Sequence, residues 1–176
     1  MTYIQHYDSP LGGILLAADE QGLTGAWFEG EKYFADNLPA EHTERETHAL
    51  SQAKCWLDIY FAGAEPNFTP PLHPIGTDFR MAVWKLLLQI PYGHTVTYGD
   101  LARRLAKKRG LAKMSAQAVG GAVGRNKISI IIPCHRVVGA GGNLTGYAGG
   151  IDKKVKLLEL EHIDMSVFFV PKKGTV

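Results

Sequence analysis

The sequence predicts an α+β protein in which a β-sheet with one helix is followed by a mostly helical second domain. Three observations support this fold class. The first thirty residues alternate apolar runs with turn-forming residues, which is typical of antiparallel strands joined by tight turns. Four prolines interrupt the chain between positions 66 and 74, and apolar residues recur at helical spacing beyond them. We therefore divide the chain into two domains, 1–73 and 74–176.

The composition is that of a folded protein without a membrane segment. The chain has 176 residues, of which 45% are hydrophobic and 20% are charged, so it can bury a sizeable core. It has no run of the roughly 18–20 apolar residues that span a membrane, and its first residues lack the features of a signal peptide. We expect a cytoplasmic protein without membrane contact. Its two cysteines, Cys55 and Cys134, exclude a disulfide framework and a Cys-rich zinc site, so we expect no structural metal.

The charges are distributed unevenly along the chain. Residues 1–97 carry 5 Lys and Arg against 12 Asp and Glu, whereas residues 98–176 carry 14 against 5. A cationic second half favours a polyanionic partner such as nucleic acid. A solvated basic surface gives the same count, so charge alone leaves both interpretations open.

The elements of the first domain follow from its turns and its apolar spacing. Three strands, separated by turn-rich segments, are predicted at 3–7, 13–18 and 23–28. A helix is predicted over 41–61, where apolar residues recur at helical spacing. We expect Cys55, which lies inside this helix, to be a small buried thiol.

The second domain is predicted to be a series of short helices. Thr77 and Ser115 can cap the first and third of these helices, and Thr97 precedes the second. The second and third helices fit a helix-turn-helix, although any pair of packed core helices gives the same pattern. A final amphipathic helix is predicted over 153–163, with Val155, Leu158 and His162 on one side. The tail over 171–176 is expected to be loose.

Cys134 has a setting that favours a reactive thiol. It follows an apolar run and a proline, where the backbone must turn, and it precedes His135 and Arg136. Cationic neighbours favour the thiolate, which is the nucleophilic form of a cysteine. Adjacent Cys and His side chains do not readily bond to each other in an extended segment, which argues against a simple peptidase-like dyad. A relay through water stays open. From these residues alone, a reactive Cys134 and a structural thiol both remain open.

The segment around Cys134 resembles the active-site signature of a known family. Residues 132–137 read IPCHRV, which is similar to the signature of the O6-alkylguanine-DNA alkyltransferases. Further matching segments are TYGDLA at 97–102, AVGGA at 118–122, GYAGG at 146–150 and LLELE at 157–161. The resemblance runs from about residue 77 to 163, and the first domain is compatible with the smaller, variable domain of that family.

The resemblance implies a single-use reaction without a cofactor. Cys134 would take the alkyl group from O6 of guanine in double-stranded DNA and keep it, and O4-alkylthymine stays open as a second substrate. His135 would act through a bound water as the base for Cys134, and Glu161 would hold the His135 ring. Asn126 would brace the site from the turn before the cysteine segment. The resemblance further implies that the protein acts as a monomer.

Since a thiol in the protein cannot reach O6 inside a duplex, the resemblance also implies base flipping. Tyr98 would help to push the target nucleotide out of the stack. Tyr147, Ala148 and Gly149 would line the base pocket, and the carbonyl of Val137 would accept a hydrogen bond from the exocyclic amine of guanine.

The chain departs from the family pattern at Gln117, where relatives commonly carry an arginine that fills the gap left by the flipped base. Gln117 can hydrogen-bond the orphaned partner base but offers less stacking area and no charge. Arg125 and Lys113, which flank the recognition helix, are the expected phosphate contacts.

Two alternative functions belong to other classes. A non-enzymatic module that recognises alkylated guanine would lack the cysteine, whereas this chain has Cys134. A thiol hydrolase unrelated to DNA is disfavoured because the basic charge lies in the same half of the chain as the motif.

Overall fold

A four-stranded sheet forms the base of the first of two structural units. The computed structural model describes residues 1–172 and divides them into two units, of which the first comprises Met1–Ile75 and Lys127–Ile131. Its strands are β1 (Tyr3–Ser9), β2 (Gly12–Ala18), β3 (Leu23–Phe28) and β4 (Thr43–Glu44). The order in the sheet is β3-β2-β1-β4, with antiparallel pairing except between β1 and β4. The predicted strands are therefore present.

The helix of this unit, α1 (His48–Phe61), begins later than the predicted 41–61. Thr47 caps it by accepting a hydrogen bond from the backbone N–H of Leu50, and the residues before this cap include β4. Cys55 is exposed, so the prediction of a buried thiol is wrong. The buried face of α1 includes Ala53 and Leu57, and a residue two positions from each of them points away from that face.

A short segment from the middle of the chain also belongs to the first unit. The backbone N–H of Ala26 donates to the carbonyl of Lys127 over 2.9 Å, and the N–H of Ser129 donates back to Ala26 over 2.9 Å. The Lys127 ammonium lies 2.5 Å from a carboxylate oxygen of Asp36. The predicted division placed this segment in the second domain, because no sequence signal shows that five residues pair with β3. Residues 173–176, the end of the predicted second domain and of the tail expected to be loose, lie outside the described residues.

The second unit comprises Gly76–Asn126 and, among the described residues, 132–172. Its regular elements are α2 (Asp78–Leu87), β5 (Val96–Thr97), α3 (Tyr98–Lys108), α4 (Ala116–Gly124), β6 (Val137–Val138) and α5 (Ile151–Leu160). Thr77, Thr97 and Ser115 cap α2, α3 and α4 through their side chains. The strands β5 and β6 pair in parallel, and α2, α3 and α4 pack against one another. The mixed α+β fold class is confirmed.

The last helix, α5, turns Leu158 and the partly buried Val155 of the predicted face toward the core, but His162 does not join them. Lys154, Leu157 and Leu158 are its buried residues, whereas His162 lies beyond the helix and is exposed. None of the helices within residues 1–172 has both the length and the apolar character that crossing a membrane requires.

Candidate active site

Cys134 is held inside the second unit by a tight turn. It begins a 3-10 turn, Cys134–Arg136, and only 6% of its surface is exposed. Its backbone N–H donates to the carbonyl of Ile132 over 2.8 Å, and the side-chain amide of Asn126 donates to the same carbonyl over 2.8 Å. The buried Asn126 side chain therefore fixes the backbone that delivers the thiol.

His135 and Glu161 form a fully buried pair. The Nε2 atom of His135 lies 2.5 Å from Oε2 of Glu161, and neither side chain is exposed to solvent. The other carboxylate oxygen of Glu161 accepts hydrogen bonds from Nε of Arg136 over 2.8 Å and from the backbone N–H of Gly93 over 3.0 Å. Arg136 also donates to the carbonyl of Ile90 over 2.8 Å. Glu161 is thus held by Arg136 and by the backbone of Gly93, and it in turn fixes the imidazole ring.

The His135 ring is set up as a neutral base. Burial lowers the pKa of His135 below its usual value, although the hydrogen bond and the charge of Glu161 oppose this effect. The nearby cations Arg136 and Lys154 lower it further. A neutral ring that donates its Nε2 proton to Glu161 has Nδ1 as its basic nitrogen. The geometry therefore supports proton acceptance at Nδ1.

Tyr98, the first residue of α3, anchors the glycine-rich loop that precedes α5. Its hydroxyl donates to the carbonyls of Thr145 and Gly146 over 3.1 and 3.4 Å. Burial raises the pKa of Tyr98 to about 12, and the neighbouring Cys134 adds to this shift. A Cβ atom at Gly146 would lie 3.2 Å from the Tyr98 hydroxyl, so the absence of a side chain there allows the close approach.

Lys154, on α5, bonds the same part of the loop as Tyr98. It is fully buried, and its ammonium donates to the carbonyls of Val137, Thr145 and Gly146 over 2.6, 3.1 and 3.3 Å. Because a carbonyl oxygen has two lone pairs, Val137 can still accept from a guanine amine. Burial lowers the pKa of Lys154 to about 8, while the neighbouring Cys134 opposes that shift.

The remaining predicted site residues lie outside this buried cluster. Gln117 is exposed on α4, one turn before Gly120, whose position faces the ring of Tyr98. Arg125 ends α4 and is half-buried. The loop residues Tyr147, Ala148 and Gly149 are also half-buried. Within residues 1–172, no three His, Cys, Asp or Glu side chains are grouped so that they could hold a metal ion.

From the sequence, Arg136 is expected only as a cationic neighbour of Cys134, and Lys154 has no expected role. Arg136 stood inside the quoted motif, but nothing in its type shows that its guanidinium bonds Glu161. For Lys154 the sequence offers a signal of position only, because it lies three residues before Leu157 and four before Leu158, on one face of α5. This position predicts a buried stem, and the burial of the amine itself becomes visible only in the structure.

The chain has close relatives among curated proteins. The methylated-DNA–protein-cysteine methyltransferase of Methanosarcina acetivorans is 44% identical over 160 residues, which cover 90% of this chain and 97% of that protein. Two family models also match, namely the ribonuclease-like domain of 6-O-methylguanine DNA methyltransferase over residues 2–74 and its DNA binding domain over 78–163. The chain belongs to the 6-O-methylguanine DNA methyltransferase family.

Solved structures of that family share the fold of this methyltransferase family member. The Mycobacterium tuberculosis O6-methylguanine methyltransferase is 42% identical and superposes with a TM-score of 0.78, covering 95% of this chain and 94% of that one. A structure of the Mycobacterium tuberculosis protein in complex with DNA is 41% identical, with a TM-score of 0.77 and 94% of each chain covered. The family resemblance and the fold predicted from sequence are both confirmed.

Proposed function

We propose that this chain repairs alkylated DNA by moving the alkyl group from O6 of guanine onto its own Cys134. It would thus be a methylated-DNA–[protein]-cysteine S-methyltransferase. The observation that carries the proposal is a buried Cys134 next to a buried His135–Glu161 pair, in a chain of the methyltransferase family.

The transfer is a single displacement. The Cys134 thiolate attacks the alkyl carbon, the S–C bond forms as the C–O6 bond breaks, and the electron pair of the broken bond stays with O6. The guanine leaving group then takes up a proton. Because a thioether has no group to expel at neutral pH, each chain reacts once and needs no cofactor.

His135 activates the thiol through a water molecule. The proton leaves Sγ of Cys134, passes through the water and reaches Nδ1 of His135, and the resulting imidazolium is stabilised by Glu161 at 2.5 Å. The hydrogen bonds from Arg136 and Gly93 keep the carboxylate in place. This sequence of nucleophile, base and orienting acid is supported by the lowered pKa of His135, which keeps the ring neutral before the reaction.

The substrate base must leave the duplex to meet Cys134. Stacked bases hide O6, and extruding one nucleotide costs a few kcal/mol. We assign α3 and α4 to a helix-turn-helix with α4 as the recognition helix, and Tyr98 to the extrusion of the nucleotide. The extruded guanine would lie against the loop residues Tyr147, Ala148 and Gly149. The carbonyl of Val137 would accept from its exocyclic amine.

The charges around α4 support contact with duplex DNA. Lys113 is exposed before the helix, and Arg125 follows it. Each phosphate neutralised by such a cation contributes about −0.9 to the slope of log affinity against log salt. One chain supplies every group of the site, which supports action as a monomer. A thiol nucleophile also needs a reducing compartment, which supports the cytoplasm.

Intact-mass measurement after incubation with a duplex oligonucleotide containing O6-methylguanine tests the proposal. We expect one methyl group per chain, mapped to Cys134 by peptide analysis. Cys134→Ser should bind the oligonucleotide without transfer, and Cys55→Ser, the matched control, should react like the wild type. Binding without transfer by the wild type would instead indicate a lesion-recognition module. Repeated turnover, or methylation at Cys55, would contradict the assignment. The same assay with O4-methylthymine defines the substrate range.

A second experiment tests base extrusion. Gln117→Arg places a longer, stacking and charged side chain at the position expected to face the gap. The rate with free O6-benzylguanine, which needs no flipping, should stay unchanged, while the rate with the duplex lesion should rise. Equal changes with both substrates would show that position 117 acts on the thiol or the fold.

A further inference from the structure

We infer that Lys154 is a positioning residue for the transfer, because its buried ammonium ties the glycine-rich loop before α5 to the strand that follows Cys134. This inference rests on the proposed function, since the loop matters as the binding site of the extruded base. The Lys154 ammonium donates one hydrogen bond to the carbonyl of Val137, at the start of β6. It donates two more to the carbonyls of Thr145 and Gly146 in the loop.

The burial of this amine indicates a role for its charge. Lys154 has no exposed surface, and a buried ammonium is costly unless its hydrogen bonds are satisfied. Three carbonyls within 3.3 Å match the three N–H groups of the ammonium. A methionine of similar length would avoid the cost of burying a charge, but it would leave the three carbonyls without these hydrogen bonds. The lysine is therefore explained by what it bonds and not by the apolar packing.

The loop has little order of its own. It reads TGYAGG over 145–150, and Gly146 and Gly150 both adopt positive φ angles, of 72° and 98°. Such a segment loses much conformational entropy when it is fixed. Tyr98 from α3 and Lys154 from α5 donate to the same two loop carbonyls, so the loop is held by two separate helices.

The hydrogen bonds by which Lys154 joins the loop to β6 should depend on pH. Burial lowers the pKa of Lys154 to about 8, although Cys134 opposes the shift. The titratable groups that interact with the charge of the amine are Cys134 and His135, and Tyr98 donates to two of the same carbonyls. Tyr98, with its pKa raised to about 12, and His135, with its pKa lowered by burial, are both neutral around pH 8. Lys154, with its pKa lowered to about 8, therefore changes charge in this range. As the pH rises through about 8, the amine loses its charge and one N–H donor.

The test compares two reactions of the same thiol. The rate of methyl transfer from O6-methylguanine in a duplex oligonucleotide depends on the base pocket and on the thiolate, whereas alkylation of Cys134 by iodoacetamide depends on the thiolate and its access. Dividing the first rate by the second at each pH removes the thiolate fraction and leaves the effect of base positioning. The variants are Lys154→Met and Lys154→Gln. Lys156→Met removes an equal charge from an exposed position of the same helix and serves as the control.

We expect the rate ratio to fall by about tenfold to a hundredfold in Lys154→Met, as misplacement of a reactant by about 1 Å does. Lys154→Gln, which keeps two N–H donors, should lie between this variant and the wild type, and Lys156→Met should match the wild type. The wild-type ratio should also decline above about pH 8, whereas the ratio of Lys154→Met should stay flat.

Two results would overturn the inference: equal losses in both reactions, or a wild-type ratio that does not change with pH. The wild-type pH profile gives this answer even if the variants fail to fold. A wild-type protein that reacts with iodoacetamide but accepts no methyl group from DNA would contradict the proposed function itself, which separates the two failures.

Discussion

Two histidine–carboxylate pairs of almost equal length lie in different surroundings. His73 approaches Asp19 at 2.6 Å in the first unit, and His135 approaches Glu161 at 2.5 Å in the second. The side chains of the first pair are 31% and 20% exposed, whereas those of the second pair are not exposed at all. Distance alone therefore does not distinguish a turn contact from a candidate catalytic pair, but burial and the further partners do.

The further partners of each carboxylate show what it stabilises. Asp19 also accepts from the backbone N–H groups of Gln21 and Gly22, so it holds the turn between β2 and β3. Partial burial acts to raise the pKa of Asp19, but the hydrogen bonds from Gln21, His73 and Gly22 prevail and lower it. In the second pair burial prevails and lowers the pKa of His135. The partly buried pair thus stabilises a turn of the backbone, and the fully buried pair holds the His135 ring as a neutral base.

Replacing the carboxylate of each pair should give the largest difference between the two pairs, measured as loss of unfolding free energy. Glu161→Gln leaves the buried Arg136 without its counter-charge, which costs about 3–5 kcal/mol of unfolding free energy. Asp19→Asn should cost about 1 kcal/mol, because it only weakens exposed hydrogen bonds. Urea unfolding of both variants measures this difference. Equal losses would show that burial does not distinguish the pairs.

Replacing the histidines should affect the reaction unequally. His135→Gln should slow methyl transfer by about 10²- to 10⁴-fold, since general-base assistance is lost. His73→Gln should leave the rate within about twofold, because the partner of that ring is the carboxylate of Asp19, which holds a turn of the first unit. Single-turnover kinetics with an O6-methylguanine duplex checks both. A fast His135→Gln variant would show that Cys134 ionises without this base.

The smallest expected effect concerns the stability of the protein at acidic pH. The pKa of Asp19 lies below the usual 3.8, so its stabilising contribution is present above that value and is lost as the pH falls through the lowered pKa. The difference in stability between the wild type and Asp19→Asn should therefore be smaller at low pH than at neutral pH. Thermal unfolding at neutral pH and at about pH 3 measures this difference. A difference of the same size at both pH values would show that Asp19 does not contribute to the loss of stability in acid.

The sequence predicts what depends on local pattern. The three long strands, the caps Thr77 and Ser115, and the turn at Cys134 all follow from residue types at fixed spacing. The buried pair needed the family resemblance, because an isolated His135 or Glu161 gives no sign that the two meet across 26 positions.

Features that depend on tertiary contacts were missed. Helix α1 begins at His48 and not at the predicted position 41, because the preceding residues include β4, which pairs with β1. Cys55 is exposed because of its place on the helix, which depends on which stripe packs inward. The buried charge of Lys154 depends on three carbonyls from two separate stretches of chain.

Nuclear magnetic resonance of the imidazole nitrogens tests most directly the claim that burial makes His135 a neutral base held by Glu161. His135→Gln assigns the signal, which is then followed from about pH 8 down to about pH 6 in the unreacted protein. We expect a neutral ring at pH 7 with its proton on Nε2. An imidazolium at pH 7, or a neutral ring with its proton on Nδ1, would contradict it.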